Sequence, residues 1–201
     1  MSVRESQERS VSGRSAALLC MVLGLTFVGC NGEDKPPTAC MSPSFTHAIG
    51  TVAGGDLFLG ELTSTCTSVE VEVMVNSLSG IFTVGFDLTY PASVVRFDNH
   101  TVGPLLLKGS PANNPFFFVS NPSPGIIQVS ATRFSPDPSV AAVGNEILMT
   151  LSFSKVASGT GVIDFDDSPT SLIEEVVLDE TGANRPASFQ PDHGGIIMVP
   201  L

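Results

Sequence analysis

The chain has 201 residues, with 19 Gly, 15 Pro, no Trp and a formal net charge of −11. This length accommodates one domain with a sizeable core plus targeting segments, and the lack of long runs of helix-forming residues favours an all-β fold. So acidic a surface repels phosphate backbones and anionic headgroups, which excludes nucleic acid as an expected partner.

The amino terminus reads as an address. Arg4, Arg9 and Arg14 precede an apolar run over residues 16–29. That run suits the apolar part of a signal peptide and falls short of the roughly twenty residues a membrane-spanning helix needs. It ends in Phe27-Val28-Gly29-Cys30, which resembles a bacterial lipobox, where small residues precede a Cys that is lipidated after cleavage. The resemblance implies a lipoprotein signal peptide over residues 1–29, lipidation of Cys30, export, and contact with the membrane through the lipid alone. Cys20 fits less well, because bulky Leu19 stands where cleavage needs a small residue. An ordinary signal peptide cleaved elsewhere is the other reading. Asn31, in place of an inner-membrane retention Asp, implies the outer membrane of a Gram-negative cell. Residues 30–44, rich in Pro and polar side chains, read as a flexible linker, and residues 45–201 as the domain.

Cys40 and Cys66 then remain. In an oxidising, exported setting they are expected to pair as a disulfide, the alternative being two unpaired thiols. A zinc site is disfavoured, since two isolated Cys lack the paired spacing that zinc sites use.

Within the domain, residues 69–90 are the organising stretch. Val69, Val71, Val73 and Val75 alternate with Glu70, Glu72, Met74 and Asn76. After the turn-like Asn76-Ser77-Leu78-Ser79-Gly80, Phe82, Val84, Phe86, Leu88 and Tyr90 alternate with Thr83, Gly85, Asp87 and Thr89. Period-two alternation of β-branched and aromatic residues predicts two strands, each burying one face. Further strands are predicted over residues 45–52, 94–102, 116–119, 126–134, 145–156, 161–165, 172–178 and 195–199, with a short one at 57–59. In the 145–156 strand, Ile147, Met149, Leu151 and Phe153 are expected to share one face. Leu105–Leu107 falls in a predicted loop, and a helical turn is expected at 140–143. About nine strands with no sustained helix indicate an all-β sandwich with jelly-roll topology.

Val71–Val75, the Gly80-Ile81 that leads into Phe86-Asp87-Leu88-Thr89-Tyr90, and Val94-Val95-Arg96-Phe97 follow one another in an order met elsewhere. So do Gly125-Ile126-Ile127-Gln128-Val129, residues 148–153, Gly161-Val162-Ile163-Asp164-Phe165 and Gly194-Gly195-Ile196-Ile197-Met198-Val199. Together these resemble the cohesin family, nine-stranded jelly rolls that receive dockerin modules. Tyr90-Pro91-Ala92 departs from the family's Tyr-Asp-Pro. The resemblance implies a partner-binding face built by the third, fifth, sixth and eighth strands. Carried over by position, that face presents Thr83, Gly85, Asp87 and Thr89, then Gln128, Ser130 and Thr132, with Asp164 beside them. It also implies that the protein needs no cofactor and that calcium belongs to the dockerin. An ordinary solvated sheet face is the competing reading of the same residues.

Other motifs are weak. Asp164, Asp166 and Asp167 lack the spacing of a calcium loop, and Asn99-His100-Thr101 is a sequon expected to arise by chance. His47, His100 and His193 are far apart in sequence, no Gly-x-Ser-x-Gly elbow is present, and carboxylates cannot be paired across a cleft from sequence, so no enzymatic activity is expected. Alternation forces one or two of Phe116, Phe117 and Phe118 outward, with packing at the sheet edge the expected outcome. The leading function is therefore a lipid-anchored adaptor for dockerin-bearing proteins at the cell envelope, in the setting of polysaccharide degradation. The alternative is a carbohydrate-binding module that takes up polysaccharide. Sugar platforms usually use Trp or Tyr, and the chain has one Tyr, Tyr90, which points inward by alternation. Feeding cells a labelled fatty acid is expected to mark the wild-type chain and not Cys30→Ala; label retained on that variant places the lipid elsewhere.

Overall fold

The computed structural model describes residues 40–48, 52–109, 115–166, 175–189 and 193–201. The predicted signal segment, Cys30, the predicted linker residues before Cys40, Asp167 and the predicted strand residues 172–174 lie outside these. The domain forms a compact unit, Ala39–Leu201.

Its eleven strands, among the described residues, are β1 (Ser44–His47), β2 (Leu57–Ser64), β3 (Ser68–Asn76), β4 (Thr83–Thr89), β5 (Val95–Val102), β6 (Phe116–Ser123), β7 (Ile126–Thr132), β8 (Asn145–Lys155), β9 (Gly159–Phe165), β10 (Val176–Leu178) and β11 (Gly195–Val199). They form a seven-stranded sheet in the order β1-β11-β9-β4-β7-β6, with β10 also paired to β4, and a four-stranded sheet in the order β2-β3-β8-β5. Every strand pairing is antiparallel.

The two halves of the organising stretch fall in different sheets. β3 is central to the smaller sheet and β4 to the larger. Val69, Val71, Val73 and Val75 of β3 and Val84, Phe86 and Leu88 of β4 are all buried in one core. The connection is held by Gly80 at φ +75°, a conformation that a side chain would strain. Phe86, Phe165 and Phe189 pack together, with Phe86 and Phe165 edge to face at 5.4 Å. This is the geometry aromatic quadrupoles prefer.

Four local expectations change. β8 bulges opposite Val73 and Met74, which turns Leu148 into the core and moves Ile147 to the outer side across from Met74. Residues 105–107 form a 3-10 turn whose Leu105 and Leu106 are fully buried in the core. No helical turn forms at 140–143; Val140 instead exchanges backbone hydrogen bonds with Ile81. Finally, β2 and β6 extend past the predicted 57–59 and 116–119 because a neighbouring strand continues to pair with them beyond those residues.

β1 closes one margin of the larger sheet. Phe45 enters the core over Gly195, where a Cβ would meet the ring at 2.3 Å. Just before β1, Cys40 is joined to Cys66 in the β2–β3 turn, with Cα atoms 5.5 Å apart across a separation of 26 residues. A loop of that length is worth about 3 kcal/mol in the chain-entropy view. Denaturant titration of Cys66→Ser is expected to show a loss of about that size; a midpoint equal to wild type would mean the bond adds nothing.

Candidate functional site

Because β4 and β7 bury alternate residues, their remaining side chains share the outer face of the larger sheet. Register sets these residues in rows. Thr83 lies opposite Thr132, Gly85 opposite Ser130, Asp87 opposite Gln128, and Thr89 opposite Ile126. β6 extends the rows with Phe116 beside Thr132, Phe118 beside Ser130 and Ser120 beside Gln128. On the other side, β10 sets Val176 against Gly85 and Leu178 against Thr83, while β9 sets Asp164 against Thr89. All seven positions picked from the sequence are therefore contiguous on one face, with Asp164 at its margin.

Their accessibility is uneven. Thr83, Thr89, Ser130 and Thr132 are partly exposed. The Thr83 and Thr132 hydroxyls are 2.7 Å apart and bonded to each other. Ser120 donates to the Gln128 side-chain oxygen at 3.3 Å, and Gln128 is only 9% exposed. Asp87 is 1% exposed, so its carboxylate is not presented to solvent as its outward position in the alternation suggested. The chain leaving β9 passes beside it, with the Asp166 amide donating to the Asp87 carbonyl. Gly85 is buried as well.

Other parts of the face were missed or misjudged. Phe117 packs on the core, but Phe116 and Phe118 are 51% and 47% exposed rather than tucked under the sheet edge. The triple Phe run was the signal, and only its neighbours in space decide how much of it is covered. Val162, Ile196 and Met198 form a second exposed apolar strip along β9 and β11. Tyr90 is buried, and its hydroxyl donates to the Asn121 side-chain oxygen at 2.8 Å. Immediately after Thr132, Arg133 turns inward and donates to the Leu106 carbonyl, bracing the end of β7 against the 3-10 turn.

The outer face of the smaller sheet differs. It carries Glu70, Glu72, Arg96 and Asp98, with Arg96 paired to Asp98 at 3.0 Å, and both of its edge strands are bulged. The larger sheet's outer face has no Lys or Arg among its described strand positions, and its central strands keep an unbroken register. A flat, small-residue surface bounded by apolar side chains suits a protein partner, whose affinity comes from a few central contacts.

His47 lies edge-on to Phe58 at 5.4 Å. Burial pushes the His100 imidazole below its ordinary range. His193 sits 3.7 Å from Asp56, with both side chains buried. Among the described residues, no group of three or more His, Cys, Asp or Glu could hold a metal ion.

No protein-family model matches the sequence, and no curated protein matches it. Among solved structures, the chain is similar to the sixth cohesin of scaffoldin B from Acetivibrio cellulolyticus, determined in complex with a dockerin. The two share 17% identity over 68% of this chain and 94% of that one, at a TM-score of 0.53. It is also similar to the second type II cohesin module of the ScaA adaptor scaffoldin from the same organism, with 14% identity over 68% and 90% and a TM-score of 0.53. A type I cohesin–dockerin complex from Clostridium thermocellum matches at 15% identity over 66% and 92%, with a TM-score of 0.51. The fold is thus a β-sandwich of the kind seen in cohesins.

Glu72 offers a check on the contrasting sheet. Burial pushes its carboxyl above the ordinary glutamate value. A group raised in the folded state favours folding at low pH, and that contribution is lost as pH rises through the folded value. Glu72→Gln is therefore expected to be more stable than wild type at pH 7, the difference vanishing below the ordinary glutamate value near 4.5. Equal melting temperatures at pH 7 would show that the carboxylate is fully hydrated.

Proposed function

We propose that this chain is a cohesin-like adaptor that captures dockerin-bearing proteins on the outer face of its larger sheet. A lipid on Cys30 would hold it at the cell envelope, in the Gram-negative outer membrane. The observation that carries this reading is the convergence of Thr83, Gly85, Asp87, Thr89, Gln128, Ser130 and Thr132 on one flat face. The fold supports it, since its solved neighbours include cohesins bound to dockerins. In this reading the calcium is the dockerin's and the adaptor itself needs no cofactor. Captured proteins would include polysaccharide-degrading enzymes, the adaptor contributing position rather than chemistry.

Accessibility refines the contact set. Ser130, Thr132, Thr83 and Thr89 make direct contacts, whereas Asp87 and Gln128 hold the floor of the site in shape. The competing carbohydrate-binding reading draws on exposed Phe116 and Phe118, which alone could serve as a sugar platform on this face.

Affinity capture from the source organism, with calcium or with chelator, tests the adaptor beside a glycan array. Calcium-dependent recovery of dockerin-bearing proteins is expected, with binding reduced at least tenfold by Ser130→Tyr or Thr132→Lys. These substitutions place bulk or charge on the face without opening the core. Glycan binding with no protein captured favours the carbohydrate module. Capture that survives both substitutions moves the contact off this face.

A further inference from the structure

The two sheets end in four strands, β1 and β6 in one and β2 and β5 in the other. Three of them carry features that discourage pairing with another chain. β1 has only four residues. β2 carries Glu61 at a register shift between Glu61 and Thr63. β5 carries Arg96, Asp98 and His100, with a shift between Phe97 and Asn99. Shortness, charge and bulges are the usual protections of a sheet edge.

β6 lacks them along most of its length. Phe116-Phe117-Phe118-Val119-Ser120 has no charge and runs in unbroken register with β7 from Thr132 to Gln128. Its register shift and Pro122 come only beyond Ser120. On the side away from β7, no described strand pairs with it, and no backbone hydrogen bond joins Phe116–Ser120 to another described segment. Two of its three Phe side chains are about half exposed. An uncharged aromatic edge with open backbone groups is a surface for strand addition.

We propose that two copies of this chain associate through β6, by antiparallel pairing of Phe116–Phe118 with the same segment of the second copy. Pairing centred on Phe117 sets Phe116 of one copy opposite Phe118 of the other. This brings four Phe rings together on one side of the joined sheet, and aromatic cross-strand pairs are among the favourable ones. A second copy suits this edge better than a cationic segment, because β6 offers no carboxylate for a cation to meet. The junction also sets no like charges opposite each other, despite the chain's net −11. The contact is isologous and closes at two. The two-fold axis is normal to the sheet, so both outer faces look the same way. This association does not depend on the dockerin reading. Where both hold, two captured proteins lie side by side.

Sedimentation equilibrium of the full chain in density-matched detergent tests the proposal. The mass is expected to rise with concentration from that of one copy toward twice that value, and the amides of Phe116–Phe118 to gain hydrogen-exchange protection over the same range. Phe118→Lys, at an exposed position, should weaken association at least tenfold. Val162→Lys, on the same face but on β9, should leave it unchanged. Phe118→Thr, which keeps strand propensity, is expected to behave like Phe118→Lys and guards against a misfolded lysine variant. A chain monomeric at millimolar concentration overturns the proposal. So do association indifferent to both Phe118 variants, protection gained elsewhere than β6, or open-ended assemblies.

Discussion

Everything in this domain depends on the one core that β3 and β4 share. The valines of β3 and Val84, Phe86 and Leu88 of β4 are buried in it from opposite sheets, so neither strand can slip by one residue without turning its apolar row to water. Burying a side chain of this size is worth roughly 1.5–3 kcal/mol, and a slip forfeits several at once. The connection at Ser77–Gly80 carries the chain from one sheet to the other instead of closing a hairpin. Once those inner rows are set, the outer rows follow. Thr83, Gly85, Asp87 and Thr89 face outward because their neighbours face in.

The two outer faces nevertheless have different characters. The smaller sheet carries charged side chains, and its edge strands are bulged. The larger sheet is flat through β7 and β4, short in side-chain length and free of cations at its strand positions. Flatness and small residues let a partner approach the backbone closely, and fixed strands hold those contacts at little entropic cost.

Much of this was legible in the chain. Strict alternation in β3, β4 and β7 marks which residues point together, because the two-residue period of a strand leaves no other choice. The candidate face could thus be named residue by residue. Alternation says nothing about what lies over a residue, however. Asp87 occupies an outward position and is still buried. Ile147 and Leu148 exchange roles because a bulge in the β3–β8 pair inserts one residue, and bulges depend on the partner strand. Leu105–Leu107 looks like loop in sequence and becomes a 3-10 turn that carries Leu105 and Leu106 into the core.

The sequence by itself determined the strand class, the inner and outer rows and the acidic character of the chain. These follow from local periodicity and composition. Only the tertiary structure decided which strands share a sheet, which outward residues reach solvent and which edge strands have a single described neighbour. Those properties belong to pairs of segments distant in sequence. The two Phe residues of β6 stand open for that reason: their exposure depends on what packs beside them.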